Sequence, residues 1–195
     1  MPSHTLTALG HDIYLIKGLL DPSVCNHIIQ IANNQSFESA GILLNTVDAQ
    51  TRSNDLLKLG GQDSLLQSTN QLILSRVAIA QQLLFQEYGV QFPYAEPCTI
   101  LRYRRGQYYR SHVDNILLAS RFQEVQQGIP TRDISIVGYL NHDFIGGATY
   151  FHRQKIKVKP EAGSIVVFPS YFTHPHEAQP VQQGEKYVFT SWLFH

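Results

Sequence analysis

Residues 97–114 read PCTILRYRRGQYYRSHVD, from Pro97 to Asp114, and their texture decides the fold. Thr99 to Tyr103 is a short β-rich run, Gly106 interrupts it, and an extended segment follows that ends in His112-Val113-Asp114. Downstream the texture repeats in Asp133 to Leu140, Ala148 to Phe151, Ile156 to Val158, Ser164 to Phe168 and Tyr187 to Leu193. Gly146-Gly147 and Glu161-Ala162-Gly163 separate these runs as turns. A succession of short strands with turn signals predicts an antiparallel sandwich or barrel.

Upstream the period changes. Asp21-Pro22 opens a first predicted helix, with Asp as N-cap and Pro at the first position, and Val24, Cys25, Ile28, Ile29 and Ala32 recur on one face before Asn33-Asn34. Residues Asp63 to Tyr88 form a second helical region, with Leu65, Leu66, Leu72, Ile73, Ile79, Ala80, Leu83 and Leu84 near helical spacing and Gly89 as its stop. Phe37 to Gly61 reads as a long loop or short hairpin, and Gln123 to Pro130 as a surface loop; either could lie over a pocket. The fold class expected is α+β with a mainly β core. A single domain spans 1–195, with helical N-terminal support over about 1–95 and the core over about 96–195.

Composition excludes several functions. The chain has 195 residues, 43% of them hydrophobic, which is enough for a sizeable core. Formal net charge is zero, and no Lys/Arg run is longer than Arg104-Arg105, so the electrostatic footprint of a nucleic-acid binder is missing. No apolar stretch reaches 18 residues, the N-terminal residues do not resemble a signal peptide, and only Cys25 and Cys98 are present in apolar surroundings. The expectation is a protein of the reducing cytoplasm that engages neither nucleic acid nor membrane.

His112 and Asp114, two apart in an extended segment, present their side chains to one face and can take adjacent corners of one ion. With nine histidines and fifteen acidic residues, about 0.7 such His-x-acid matches arise by chance, so the pair alone is weak. Two histidines and one carboxylate suit Fe(II), holding one face of an octahedron and leaving positions for substrates. His174 and His176 both offer the third ligand, and alternation sends both to the same face if that segment is extended.

The order of motifs then becomes specific. Arg102-Tyr103, Gly106-Gln107-Tyr108-Tyr109 and His112-Val113-Asp114 come first. Arg132 through Tyr139-Leu140-Asn141 and Gly146-Gly147-Ala148-Thr149-Tyr150-Phe151 follow, and Pro175-His176-Glu177-Ala178-Gln179-Pro180 precedes Lys186-Tyr187 and Trp192. From about Thr99 onward this series resembles the iron(II)- and 2-oxoglutarate-dependent dioxygenases, in particular their prolyl 4-hydroxylase-like branch. The N-terminal half resembles the family loosely, mainly at Thr51-Arg52-Ser53.

The resemblance implies a double-stranded β-helix, the cupin-like jelly roll, braced by the N-terminal helices. It selects His176 over His174 as the distal ligand, because the family's histidine stands four residues before a proline and about ten before a basic residue. It implies His112, Asp114 and His176 on Fe(II), Lys186 on the distal carboxylate of 2-oxoglutarate, and Tyr103 and Tyr139 as co-substrate contacts. Arg132 and Trp192 are candidate substrate contacts. No catalytic residue is expected beyond the metal centre. Fe(II), 2-oxoglutarate, O2 and L-ascorbate as reductant follow as the implied reagents. The implied reaction hydroxylates an unactivated C–H, foremost a prolyl residue in a peptide or protein, while 2-oxoglutarate yields succinate and CO2. Two alternatives stand beside it: hydroxylation of a small molecule such as a free amino acid, and a non-catalytic cupin-like protein that binds metal or ligand.

Overall fold

The computed structural model describes residues 4–39, 51–115, 126–128 and 130–195. In chain order the elements are β1 (Leu6–Gly10), β2 (Ile13–Ile16), α1 (Pro22–Asn33), β3 (Glu38–Ser39), β4 (Asp55–Lys58), α2 (Ser64–Tyr88), β5 (Tyr94–Ala95), β6 (Thr99–Tyr103) and β7 (Tyr109–His112). After them come β8 (Ile134–Tyr139), β9 (Ile145–Gly146), β10 (Thr149–Phe151), β11 (Ile156–Val158), β12 (Ile165–Pro169), β13 (His176–Ala178), β14 (Val181–Gln183) and β15 (Lys186–Phe194).

Both helices form where the spacing predicts. Asp63 caps α2 by accepting the Leu66 N–H at 2.9 Å, and Gly89 ends it at φ 68°, its N–H donating to the Phe85 carbonyl at 2.9 Å. At α1 Pro22 takes the first turn, but the Asp21 side chain makes no cap hydrogen bond. The buried stripe of α2 is Thr69, Ile73, Val77, Ala80 and Leu84, in steps of three and four. Leu65, expected on that stripe, is exposed instead.

Strands β1-β2-β12-β8-β15-β6-β4-β3 form one antiparallel sheet in that order, with β5 added beside β15. A smaller sheet, β11-β10-β13-β7, and the pair β14-β9 complete a double-stranded β-helix. Alternation on the central strands splits the core. Ile134, Ile136, Ile165, Val167 and Phe189 pack with both helices, while Val166, Phe168, Tyr139, Leu101, Tyr103 and Val188 pack between the sheets. A strand buried on both faces reads as a near-continuous apolar run, as Ile165 to Phe168 does. Gly138 is required by the register: it lies opposite Phe189, whose ring would come within 2.0 Å of a Cβ there.

The N-terminal part is less purely helical than expected. β1 and β2 extend the large sheet beyond β12, and β4 extends it beyond β6. These runs of four or five residues carry too little periodicity to stand out without their partners. The expected loop over 37–61 contains β3 and β4, and its residues 40–50 lie outside the described residues. Of the expected loop over 123–130, residues 123–125 and 129 do too. Among the described residues no helix is long and apolar enough to cross a membrane.

Candidate metal centre

β7 ends at His112, the chain bends away from the strand, and Asp114 follows; His176 opens β13 directly opposite His112 in the smaller sheet. Pairing of two strands, 64 residues apart in sequence, thus makes neighbours of the two imidazoles. One ligand atom from each of His112, Asp114 and His176 lies within 4.8 Å of the others. His112 Nε2 stands 3.3 Å from Asp114 Oδ1, and His176 Nε2 3.7 Å from Asp114 Oδ2.

The hydrogen bonds behind the rings determine which nitrogens face inward. His112 Nδ1 lies 2.8 Å from the Arg110 carbonyl and His176 Nδ1 3.2 Å from the His174 carbonyl. A carbonyl only accepts, so each Nδ1 carries the proton and each Nε2 keeps its lone pair. Two lone pairs and a carboxylate converge on one point, a donor set that a divalent cation satisfies. Burial would raise the Asp114 pKa, but the neighbouring His176 and His112 rings and the Ser135 hydroxyl outweigh it and hold the carboxyl below its usual range. Burial holds the His176 imidazole down to about 4. Tyr109 stacks on His112 with centroids 3.5 Å apart, and the Arg52 guanidinium covers the Tyr109 ring at 4.5 Å. Phe168 packs edge-on against His176 at 4.6 Å.

His174 does not join this set. Residues 171–173 form a turn, its N–H bonding the Tyr171 carbonyl at 2.9 Å, so alternation fails and the ring points elsewhere. Its Nε2 reaches the His11 carbonyl at 2.7 Å and its Nδ1 the Thr173 hydroxyl at 2.8 Å.

Lys186 is 1% exposed, opposite Tyr103 across β15 and β6. Its ammonium donates to the Gly147 carbonyl at 2.7 Å and lies 4.9 Å from the Tyr103 ring centroid and 5.7 Å from that of Tyr139. Among the described residues no carboxylate stands within ion-pair distance, and burial depresses the Lys186 pKa to about 7. Burial pushes the Tyr103 and Tyr139 phenols up, so both remain neutral at ordinary pH. The Tyr139 hydroxyl shares a 2.8 Å hydrogen bond with Thr149 of the smaller sheet. A buried ammonium with only a carbonyl partner fits an incoming carboxylate.

Gly147 makes this arrangement possible. At φ 64° it lacks the Cβ that would come within 2.9 Å of the Phe144 ring and 3.1 Å of Lys186 Cδ. Gly147→Ala is therefore expected to displace the lysine stem and weaken 2-oxoglutarate binding about tenfold, an effect of roughly 1.4 kcal/mol. Calorimetric titration of 2-oxoglutarate into wild type and variant measures it.

Arg132, the candidate substrate contact, is part-buried beside the Asp114 segment. It binds Glu96 through Nε at 2.6 Å and Nη2 at 2.8 Å, donates Nη1 to the Asp114 carbonyl at 3.2 Å, and stacks on Trp192 at 3.6 Å. The pair braces the backbone of the Asp114 segment. Sequence reading gave Glu96 and Ser135 no role, and took Tyr109 and Arg52 only as parts of the resemblance. Tyr109 was findable, three residues before His112; Glu96 and Ser135 gain meaning only when strands pair.

Residues 98–194 match the family model described as the 2OG-Fe(II) oxygenase superfamily. The chain is 28% identical over 194 residues to a protein of Acanthamoeba polyphaga mimivirus provisionally named a prolyl 4-hydroxylase, covering 92% of this chain and 73% of that protein. It is 32% identical to a PKHD-type hydroxylase of Thermosynechococcus vestitus, over 80% of this chain and 64% of that one, so it spans just under two thirds of that relative. In fold it is similar to a Trichoplax adhaerens prolyl hydroxylase solved with a hypoxia inducible factor peptide fragment, at TM-score 0.70 and 18% identity, covering 94% of this chain and 83% of the other. A family model matched across the segment that carries all three convergent donors and the buried lysine means that this chain belongs to the 2OG-Fe(II) oxygenase superfamily, with its relatives in the prolyl 4-hydroxylase-like branch.

Proposed function

We propose that the chain hydroxylates a prolyl residue in a peptide or protein, using Fe(II), 2-oxoglutarate and O2, with L-ascorbate as reductant, in the cytoplasm. The observation that carries this reading is the pairing of two inward Nε2 lone pairs and Asp114 with a buried Lys186 that has no acid partner among the described residues. In it His112, Asp114 and His176 hold the metal from one side, and Lys186 receives the distal carboxylate of 2-oxoglutarate. Tyr103 and Tyr139 wall that carboxylate with neutral, donating phenols. The bound metal and 2-oxoglutarate together supply activation of O2, coupled to decarboxylation to succinate and CO2. The residues hold the reagents in register, exclude water with the packing of Phe151, Phe168 and Val188, and keep protons off the inward nitrogens. No side chain acts as acid or base.

A peptide substrate is supported by relatives named prolyl hydroxylases and by the peptide held by the Trichoplax protein. Trp192, stacked under Arg132, is the aromatic surface proposed to meet it. Buried, unpaired Cys25 and Cys98 suit a reducing compartment.

With Fe(II), the purified protein is expected to convert 2-oxoglutarate slowly to succinate without a prime substrate. On prolyl peptides it is expected to yield a product heavier by about 16 Da, one oxygen atom. No succinate under any condition would favour the non-catalytic binding protein. Oxygen insertion only into free amino acids would favour the small-molecule hydroxylase.

A further inference from the structure

We propose that His174 is a positioning residue for the metal ligand His176, and that the β1–β2 hairpin thereby belongs to the metal-binding machinery. The inference rests on the metal reading above. His174 is buried, and its Nε2–H donates to the His11 carbonyl at 2.7 Å, which leaves Nδ1 to accept the Thr173 hydroxyl at 2.8 Å. The His174 carbonyl in turn accepts the Nδ1–H of His176 at 3.2 Å. A continuous path thus runs from the hairpin turn to the proton that keeps His176 Nε2 free.

The turn itself supplies a second observation. Gly10 pairs with Ile13, so His11 and Asp12 are its two central residues, at φ 52° and 59°. Two left-handed central residues make the tight hairpin turn that Asn-Gly favours. Neither residue here is glycine, and such conformations persist where the surroundings hold them. The His174 ring, 163 residues away in sequence, hydrogen-bonds the carbonyl of this turn. The anchored carbonyl belongs to the loop between β12 and β13, whose residues 171–173 turn sharply and have no strand partner. Without the side-chain anchor, that carbonyl would be free to turn away from His176.

Mn(II) binding by calorimetry, together with two-bond proton–nitrogen spectra of metal-free, nitrogen-15 histidine-labelled protein, tests this. Wild type is expected to show His176 protonated at Nδ1. His174→Ala is expected to show mixed His176 tautomers and bind Mn(II) about tenfold more weakly, the scale of outer partners of metal ligands. His174→Gln keeps an N–H for the His11 carbonyl and is expected to restore Mn(II) affinity to within about threefold of wild type. His174→Ala that keeps both the tautomer signature and wild-type affinity overturns the proposal, whatever its Tm. So does a Gln variant that recovers Tm but not affinity. If the Ala variant does not fold, Thr173→Val, at an exposed position, carries the test: about two- to threefold weaker binding is expected, and unchanged affinity overturns the proposal. A wild type that takes no Mn(II), yet shows a tautomer signature lost in His174→Ala, would overturn the metal reading and leave the positioning role standing.

Discussion

Lys186→Met is expected to abolish 2-oxoglutarate binding and, at the same time, to make the ligand-free protein more stable. The ammonium is fully buried, and among the described residues it hydrogen-bonds the Gly147 carbonyl alone, beside the Tyr103 and Tyr139 rings. A carboxylate brought to it forms a charge-assisted pair in low dielectric. Loss of one partner of such a buried pair costs about 3–5 kcal/mol, or roughly two to three and a half orders of magnitude in affinity. Without ligand the balance reverses, because methionine fills similar volume and removes a buried charge that has no countercharge among the described residues. A gain of about 1–2 kcal/mol would raise Tm by roughly 2–8 °C in a domain of this size. Calorimetric titration and thermal unfolding of the same two proteins read both signs. A destabilised variant that still binds 2-oxoglutarate would remove Lys186 from the site.

The same lysine dictates a pH dependence. Its pKa falls from an ordinary 10.5 to about 7 in the folded protein. Between those values the unfolded chain holds a proton that the folded one does not, so stability of the ligand-free protein rises with pH across that window. Below about pH 7 both states hold it, and this dependence ends. Bound 2-oxoglutarate favours the charged form. Binding above pH 7 therefore takes up a proton, and affinity falls as pH rises, by up to about tenfold per unit. Lys186→Met should lose the stability slope.

His176→Ala is expected to eliminate metal-dependent stabilisation and turnover together. Outer partners alone cost about 10–100-fold in affinity, so removal of a buried direct ligand should exceed that range. At a hundred times its Kd, Mn(II) stabilises a folded protein by about 2.7 kcal/mol. For wild type this corresponds to a Tm rise of about 5–10 °C, which His176→Ala should lack. His174→Ala, whose ring faces the hairpin and acts on the site only through His176, should keep about half of it, roughly 1.4 kcal/mol for a tenfold weaker Kd. The reverse pattern would exchange the two histidines and contradict the geometry.

Much of the fold was legible because strong local signals agreed. The α2 boundaries follow from Asp63 and Gly89, and the β8, β12 and β15 runs are buried on both faces and apolar almost throughout. β1, β2 and β4 were missed because edge strands of four or five residues draw their meaning from partners far along the chain. Spacing alone left His174 and His176 both open, and the resemblance selected His176, because whether the two share a face depends on the local backbone, where a turn at 171–173 intervenes. Arg132 could be noticed but not placed, since Glu96, Trp192 and the Asp114 carbonyl meet it only across the large sheet.

By itself the sequence determined residue types and local periodicity: two helices, a series of short strands, one His-x-Asp pair, a second pair of histidines and a lysine ten residues beyond His176. Tertiary structure decided which groups face one another. Strand register set His176 against His112, carbonyls two residues earlier turned both Nε2 atoms inward, and burial left Lys186 an ammonium without an acid among the described residues. Chemistry at a metal or carboxylate site depends on distance, orientation and desolvation, and these arise only when segments far apart in sequence close a common core.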